Sequence, residues 1–392
     1  MKILSVNAGS SSLKFQMYEM PEEKVLISGV FERIGIGNSF YTIKLNGEKI
    51  KKEREVSNHE EAVKILTEEL LENKVVSSLD EIEAIGHRMV HGGDKYQTST
   101  IIDEDVIKAT EEFLDLAPIH IPANLTGVRA FQKIIPNATA VAVFDTSFHQ
   151  TLPKEAYIYP VPYEWYEKYG VRKYGFHGTS HKYVSMRMNE ILGRTDTKII
   201  TCHIGSGGSI SAVLNGKSID TSLGFTPNAG IVMGTRSGDI DALIIPFIMK
   251  KENLTISEVD NILNKKSGLL GISKKYSDSR DIEEGIKNGD ELCKLAQDIY
   301  VRKIVEYIAK YYVLLGGCDA IVMTAGVGEN SISTRKQILD KLSVLGVQID
   351  EERNNIRGEE QLITKDTSKI PVWVIPTDEE LMIARDTYEL AK

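Results

Sequence analysis

Apolar and polar positions fall into short runs that spell a strand, a small polar turn and a second strand. Ile3 to Asn7 is apolar, Ala8-Gly9-Ser10-Ser11-Ser12 is a turn of small residues, and Leu13 to Met17 alternates as a half-buried strand does. Val25 to Phe31 and Phe40 to Leu45 read as further strands, and Asn46-Gly47 closes a hairpin. Ser57, with Glu60 three residues on, predicts a capping box and a helix to about Leu71. A short strand at Ile82 to Ile85 precedes two helices, roughly Asp103 to Leu116 and Ala123 to Ile135. Ala138 to Phe144 is a buried strand that ends at Asp145.

Leu152 to Tyr174 is rich in Tyr and Pro, lacks periodicity, and reads as the crossing between two domains. A helix over about Ser180 to Leu192 follows. Then the opening pattern returns. Lys198 to His203 is a strand, Ile204-Gly205-Ser206-Gly207-Gly208-Ser209 a turn, and Ile210 to Leu214 a strand closed by Asn215-Gly216. This predicts an internal duplication, with two similar domains facing a cleft; the plain alternative is that Gly/Ser hairpins are common. Further helices are expected at Asp239 to Lys250, Ser257 to Asn264, Asp290 to Leu315, Ser331 to Leu342 and Glu379 to Leu390. Asp319 to Thr324 and Val372 to Ile375 read as short buried strands. Strands followed by helices predict an α/β architecture. The expected domains are 1–150, with the 379–392 helix returning onto it, and 151–378.

A length of 392 residues suits two domains, or three. The chain is 42% apolar and 26% charged, which excludes disordered and collagen-like classes. A net charge of -9 argues against gripping nucleic acid or an anionic membrane through bulk charge, so any anion must be held by a local site. Cys202, Cys293 and Cys318 are widely spaced and odd in number, which suits reduced thiols and neither a disulfide framework nor a zinc motif. There is no long apolar run of signal-peptide or membrane-spanning type, so a soluble cytoplasmic protein is expected. Histidine is unevenly spread: seven of eight lie between His87 and His203.

Three small-residue turns suit phosphate. Asn7 to Lys14 contributes Ser10, Ser12 and a lysine at its rim, without Walker A spacing. His203, Ile204, Gly205, Ser206 and Gly207 offer the same chemistry without a lysine. Thr324 to Asn330, with Gly326, Val327, Gly328 and Glu329, follows a buried strand and precedes a helix, where open α/β sheets bind nucleotides. Any one of these could be a plain connection; three together are harder to dismiss. Arg88, in Gly86 to Gly93, and Arg236, in Gly234 to Asp239, stand among glycines. A guanidinium so placed is either a solvated loop residue or a bidentate partner for carboxylate or phosphoryl oxygens. Asp145 ends a buried strand, and His177 sits on a Gly-flanked turn.

Taken with Thr377 to Leu381, these motifs resemble the acetokinase family over nearly the whole chain and in family order. The resemblance implies the duplicated actin-like (ribonuclease H-like) fold shared with Hsp70 and sugar kinases, and a homodimer. It implies reversible, magnesium-dependent transfer of the γ-phosphoryl of ATP to acetate, giving acetyl phosphate and ADP, with manganese as the alternative ion. On this pattern Arg88 binds acetate, Val90 lines the pocket for its methyl group, and Asp145 is the essential aspartate. His177 and Arg236 stabilise the transition state, and Asn7 and Glu379 lie at the metal. Lys14, His203 to Gly207, Asp278, Ser279, Arg280 and Gly326 to Asn330 match the nucleotide-binding segments.

Four positions depart from the family pattern. Ile121 and Ser206 each stand where the family has Asn, Ser279 stands in place of Phe, and Asp378 in place of Asn. Ser206 and Ser279 bear on nucleotide affinity and donor choice, and Asp378 on the charge at the metal. Rival readings are a propionate or other short-chain carboxylate kinase, a kinase for a neutral hydroxyl, and a non-catalytic actin-like nucleotide-binding protein.

Overall fold

The computed structural model describes residues 1–118 and 120–392; Ile119, in the Pro118-Ile119-His120 stretch, lies outside them. The chain divides into two compact units, 1–148 with 378–392, and 149–377.

The first unit holds β1 (Lys2–Ala8), β2 (Ser12–Glu19), β3 (Lys24–Glu32), β4 (Phe40–Leu45), β5 (Glu48–Glu53), β6 (Ile82–Met89), β7 (Thr100–Ile101) and β8 (Thr139–Phe144). They form one sheet in the order β5-β4-β3-β2-β1-β6-β8-β7. β1, β2 and β3 are an antiparallel meander, and β6 and β8 then run parallel to β1. The second unit holds β9 (Lys198–Ile204), β10 (Gly208–Leu214), β11 (Lys217–Thr221), β12 (Ala320–Thr324), β13 (Gln361–Leu362) and β14 (Val372–Val374), ordered β11-β10-β9-β12-β14-β13. Again a three-stranded meander is extended by two strands parallel to its first member. The strand order third-second-first-fourth-fifth therefore occurs in both units. These are the duplicated actin-like, ribonuclease H-like domains that the resemblance implies.

Each unit has its own core. In the first, Leu4, Leu13, Phe15 and Phe31 pack under the His59–Glu72 and His120–Ile134 helices. In the second, Ile200, Ile210, Ile321 and Val372 pack with Tyr300, Ile304 and Ile308 of the long Glu291–Leu315 helix.

Local details correct several expectations. The first helix is capped by Asn58, which accepts from the Glu61 N–H at 2.9 Å; Ser57 instead donates its N–H and hydroxyl to the Glu61 carboxylate. The box is therefore shifted by one residue. The helix expected from Asp239 begins only at Ile244, because Asp239 is occupied elsewhere. Its carboxylate accepts from the Gly230 N–H at 2.8 Å and from the Tyr307 hydroxyl. Short helices at Lys154–Tyr157 and Glu164–Tyr169 interrupt the segment read as irregular. Helices at Gly268–Ser273 and Ser279–Lys287 lack a clear sequence signal.

Candidate active site

In the first unit, Asn7, Arg88 and Asp145 are brought together by parallel pairing. β1 and β6 are neighbours with Val6 opposite His87, and β6 and β8 pair with Met89 opposite Phe144. The Asp145 N–H continues that ladder to the Met89 carbonyl at 2.9 Å. All three side chains thus stand at the carboxyl ends of adjacent parallel strands, where α/β sheets bind ligands. Arg88 donates Nε to Asp145 Oδ1 at 3.0 Å, Nη2 to Oδ2 at 2.5 Å, and Nη1 to Asn7 Oδ1 at 3.2 Å. The Asp145 carboxylate raises the Arg88 pKa further and keeps it cationic.

The Glu379–Ala391 helix lies across these strands. Its fit demands Gly86, where a Cβ would stand 2.2 Å from Thr387 Oγ1 and 2.5 Å from Ile383 Cγ2. Asp378 caps this helix by accepting from the Leu381 N–H at 2.9 Å, so the departure from the family pattern has a local structural use. Burial pushes the Glu379 carboxyl up to about 7; Arg88 opposes the shift, while Asp145 and Glu380 add to it. Lys14 pairs with Glu380 at 2.5 Å. Ser12 and the Gly9 N–H close the first turn at 2.9 Å, while Ser10 is exposed. Val90 is buried, and its N–H donates to Asn124 Oδ1 at 3.0 Å. Asn124 also donates to the Ala8 carbonyl at 2.9 Å, a brace that no sequence motif announces.

The described residues contain no cluster of three His, Cys, Asp or Glu side chains suited to a metal. A magnesium ion needs only one or two carboxylates when substrate phosphates and water complete its shell. Glu379 and Asp145 interact through their charges, and Asn7 Oδ1 shares Arg88 with Asp145, which makes a hard oxygen set of that kind. Burial and like charges hold the Glu379 carboxyl up despite Arg88, and a bound cation would favour its ionised form. The residues therefore fit a magnesium ion.

In the second unit, His177 occupies the left-handed region at φ 55° and precedes the Gly178–Leu192 helix. Its Nδ1 lies 2.8 Å from Ser209 Oγ, and its ring stacks on that of His203 at 4.2 Å. The β9–β10 turn is closed by the Gly205 N–H donating to the Gly207 carbonyl at 3.0 Å. Gly234 ties the Arg236 loop to this turn through the Ser206 carbonyl, also at 3.0 Å. A Cβ at Gly207 would meet Arg236 Nη1 at 3.6 Å and His177 Nε2 at 3.7 Å. The guanidinium and the imidazole therefore converge on one face of the turn. Arg236 donates to the Pro227 carbonyl at 2.9 Å and has no carboxylate partner among the described residues; burial lowers its pKa.

The predicted nucleotide segments line one cavity of about 330 Å³ beside this turn. Gly205 and Ser206 contribute, then Asp278, Ser279 and Arg280, then Gly326, Val327 and Asn330. Residues Ala325–Asn330 form a short helix and not the open loop expected, with Ala325 at φ 64°. The other predicted nucleotide residues are not among those that line this cavity. Ile204 is buried in β9, and His203 bonds Ser180 at 2.8 Å. Gly328 is buried, and Glu329 accepts from the Ala325 and Thr377 N–H groups at 2.8 and 3.0 Å. Lys14 belongs to the first unit.

Sequence reasoning missed Glu283, Tyr300 and Arg357 on the cavity wall. It also missed Arg335, fully buried, which donates to the Gly328, Glu329 and Ile356 carbonyls at 3.1, 2.8 and 2.8 Å. No motif marks these residues.

The profile described as the acetokinase family matches residues 2–385. This chain belongs to the acetokinase family. The acetate kinase of Bacillus subtilis strain 168 is 53% identical over 393 residues, covering 100% of both proteins. That of Carboxydothermus hydrogenoformans is 55% identical over 395 residues, covering 100% of this chain and 99% of the relative. The crystal structure of Porphyromonas gingivalis acetate kinase superposes with a TM-score of 0.94 at 46% identity over 100% of both chains. A propionate kinase from Francisella tularensis gives 0.94 at 42% identity over 99% of each. As an acetokinase the protein is a kinase, a phosphotransferase with a carboxyl group as acceptor. Family membership sets aside the non-catalytic reading.

Proposed function

We propose that this acetokinase transfers the γ-phosphoryl of ATP reversibly to acetate, giving acetyl phosphate and ADP. The observation that carries the reading is the meeting of Arg236 Nη1 and His177 Nε2 at Gly207, beside the nucleotide cavity. A guanidinium with no carboxylate partner among the described residues, and an imidazole beside it, suit the equatorial oxygens of a transferring phosphoryl group.

Arg88 binds the acetate carboxylate, and Val90 packs its methyl group. Acetate is ionised at neutral pH, so no base must remove a proton. A carboxylate oxygen attacks the γ-phosphorus as the bond to the β–γ bridging oxygen breaks, and ADP leaves. Catalysis is therefore positioning and charge neutralisation. Asp145 holds Arg88 in place and does not act as a base. Glu379, Asn7 and Asp145 would hold magnesium, which when bound neutralises phosphate charge. Ser10, Ser12 and Lys14 serve phosphate, and the cavity takes the nucleoside.

Propionate is a second reading, favoured by the likeness to the Francisella propionate kinase. One methylene is worth about 1–3 kcal/mol in an apolar pocket, so overlap is expected. Acyl phosphate formation from ATP should be measured with acetate, propionate, butyrate and glycerol. Acetate is expected to give the highest kcat/KM, and no acyl phosphate from any acid would sink the proposal.

The homodimer and the cytoplasmic location belong to this proposal. Leu243, Phe247 and Ile256 are 73%, 58% and 61% exposed, an apolar surface suited to a second copy. Light scattering at twice the chain mass of 43.7 kDa is expected, and a monomer would count against it. All three cysteines are free thiols, as in a reducing compartment, and no helix among the described residues is long and apolar enough to cross a membrane.

A further inference from the structure

His177 and His181 lie one turn apart at the start of the Gly178–Leu192 helix, over a polar patch of β9 and β10. Ser209 Oγ stands 2.8 Å from His177 Nδ1 and 2.7 Å from His181 Nε2. The other nitrogen of His181, Nδ1, stands 2.7 Å from Thr201 Oγ1. Ser209, His181 and Thr201 are all 0% exposed. These groups are closed to bulk solvent, so each hydrogen in the chain is expected to find an acceptor.

That requirement selects one direction. The Ser209 hydroxyl has a single hydrogen and faces two ring nitrogens, so it donates to one and accepts from the other. Burial, with His149 and His203 nearby, lowers the His181 pKa well below its ordinary value, so this ring carries one N–H. If His181 donated through Nδ1, the Thr201 hydroxyl would be left buried with no acceptor among the described residues. If Thr201 donates to Nδ1, His181 donates Nε2–H to Ser209, and Ser209 donates to His177 Nδ1. Every hydrogen of Thr201, His181 and Ser209 is then satisfied.

We propose that Thr201, His181 and Ser209 form a buried relay of positioning residues that holds His177 as the neutral Nε2–H tautomer, with that N–H as the donor beside Arg236. The proposal rests on the transition-state role of His177 given above. A ring whose Nε2 carries the proton is a hydrogen-bond donor there and not a nucleophile, in keeping with direct transfer to the carboxylate. The left-handed backbone at His177 is strained for a non-glycine residue, as expected where a side chain must be aimed.

Long-range ¹⁵N–¹H correlation spectra of the histidine-labelled protein read the tautomer, with the His177 signals assigned by their loss in His177→Ala. An Nε2–H ring is expected, and an Nδ1–H ring would overturn the relay. Thr201→Val keeps the shape and removes only the far hydroxyl. It is expected to lower kcat about tenfold, the order of one weakened orienting bond, with both KM values within about twofold. Thr201→Ser should restore kcat. Full turnover in Thr201→Val would overturn the relay, as would a loss that Thr201→Ser does not repair. His177→Ala tests the underlying reading separately. Unchanged turnover in that variant ends both proposals, whereas lost turnover there with full turnover in Thr201→Val ends the relay alone.

Discussion

Arg88 grips Asp145 through two parallel hydrogen bonds, Nε to Oδ1 at 3.0 Å and Nη2 to Oδ2 at 2.5 Å. The pair joins the ends of two adjacent parallel strands, β6 and β8. Asp145 is 2% exposed, and Arg88 is its ion-pair partner. Asp145→Asn keeps the shape and removes that charge. The guanidinium loses its fixed orientation, and we expect kcat to fall by about 10²-fold or more, with acetate KM raised. Steady-state kinetics with acetate varied would decide it. Near-normal turnover would remove Asp145 from the site.

Arg236 differs from Arg88 in having a carbonyl and, among the described residues, no carboxylate as its partner. Its charge is left for a ligand. Arg236→Ala is expected to lose about 10³-fold or more in kcat, as charge-stabilising arginines do in phosphoryl transfer. The ATP KM should change little. An unchanged kcat would count against the role.

Gly86 tests how the return helix is seated. Thr387 Oγ1, which a Cβ would strike, is itself tied to the Ile383 carbonyl at 2.7 Å and is not free to turn. Gly86→Ala must therefore shift the helix that carries Glu379. A stability loss of about 1–3 kcal/mol is expected, together with a higher magnesium requirement. Urea unfolding and a magnesium titration would measure the two effects. A variant with wild-type values in both would show that the helix yields at no cost.

Two buried histidines predict acid sensitivity. Burial lowers His149 to about 4 and His87 to about 3. The unfolded rings take up a proton near 6.5. Between those values the unfolded chain binds more protons, so stability falls as pH drops below 6.5 and is recovered above it. The loss for His149 alone is on the order of 3 kcal/mol by pH 4. Urea midpoints measured between pH 7.5 and 4.5 should fall, and His149→Gln should flatten the curve. A midpoint independent of pH would refute the assignment.

Much of this was legible along the chain. The repeated strand–turn–strand pattern corresponds to β1–β2 and β9–β10, because period-two alternation and Gly/Ser turns are local signals. The predicted site residues also fall at strand ends and turns. What escaped was set by competition between neighbours or across the fold. Asn58 displaced Ser57 as a cap because Glu61 reached back to Ser57. Asp239 left its helix because Gly230 and Tyr307 claimed its carboxylate. Glu283, Arg335 and Arg357 reach the nucleotide segments from elements that are distant in sequence or carry no motif.

The sequence by itself determined the two-unit α/β character, the small-residue turns between strands and the family. These depend on residue type and spacing, which local backbone preference and motif matching both read. Only the tertiary structure decided which partner each polar group takes. The pairing of Arg88 with Asp145, the unpaired charge of Arg236 and the direction of the Thr201-His181-Ser209-His177 chain depend on contacts between separate strands and helices. Burial then removes water as an alternative partner, so a hydrogen bond that sequence leaves open becomes obligatory.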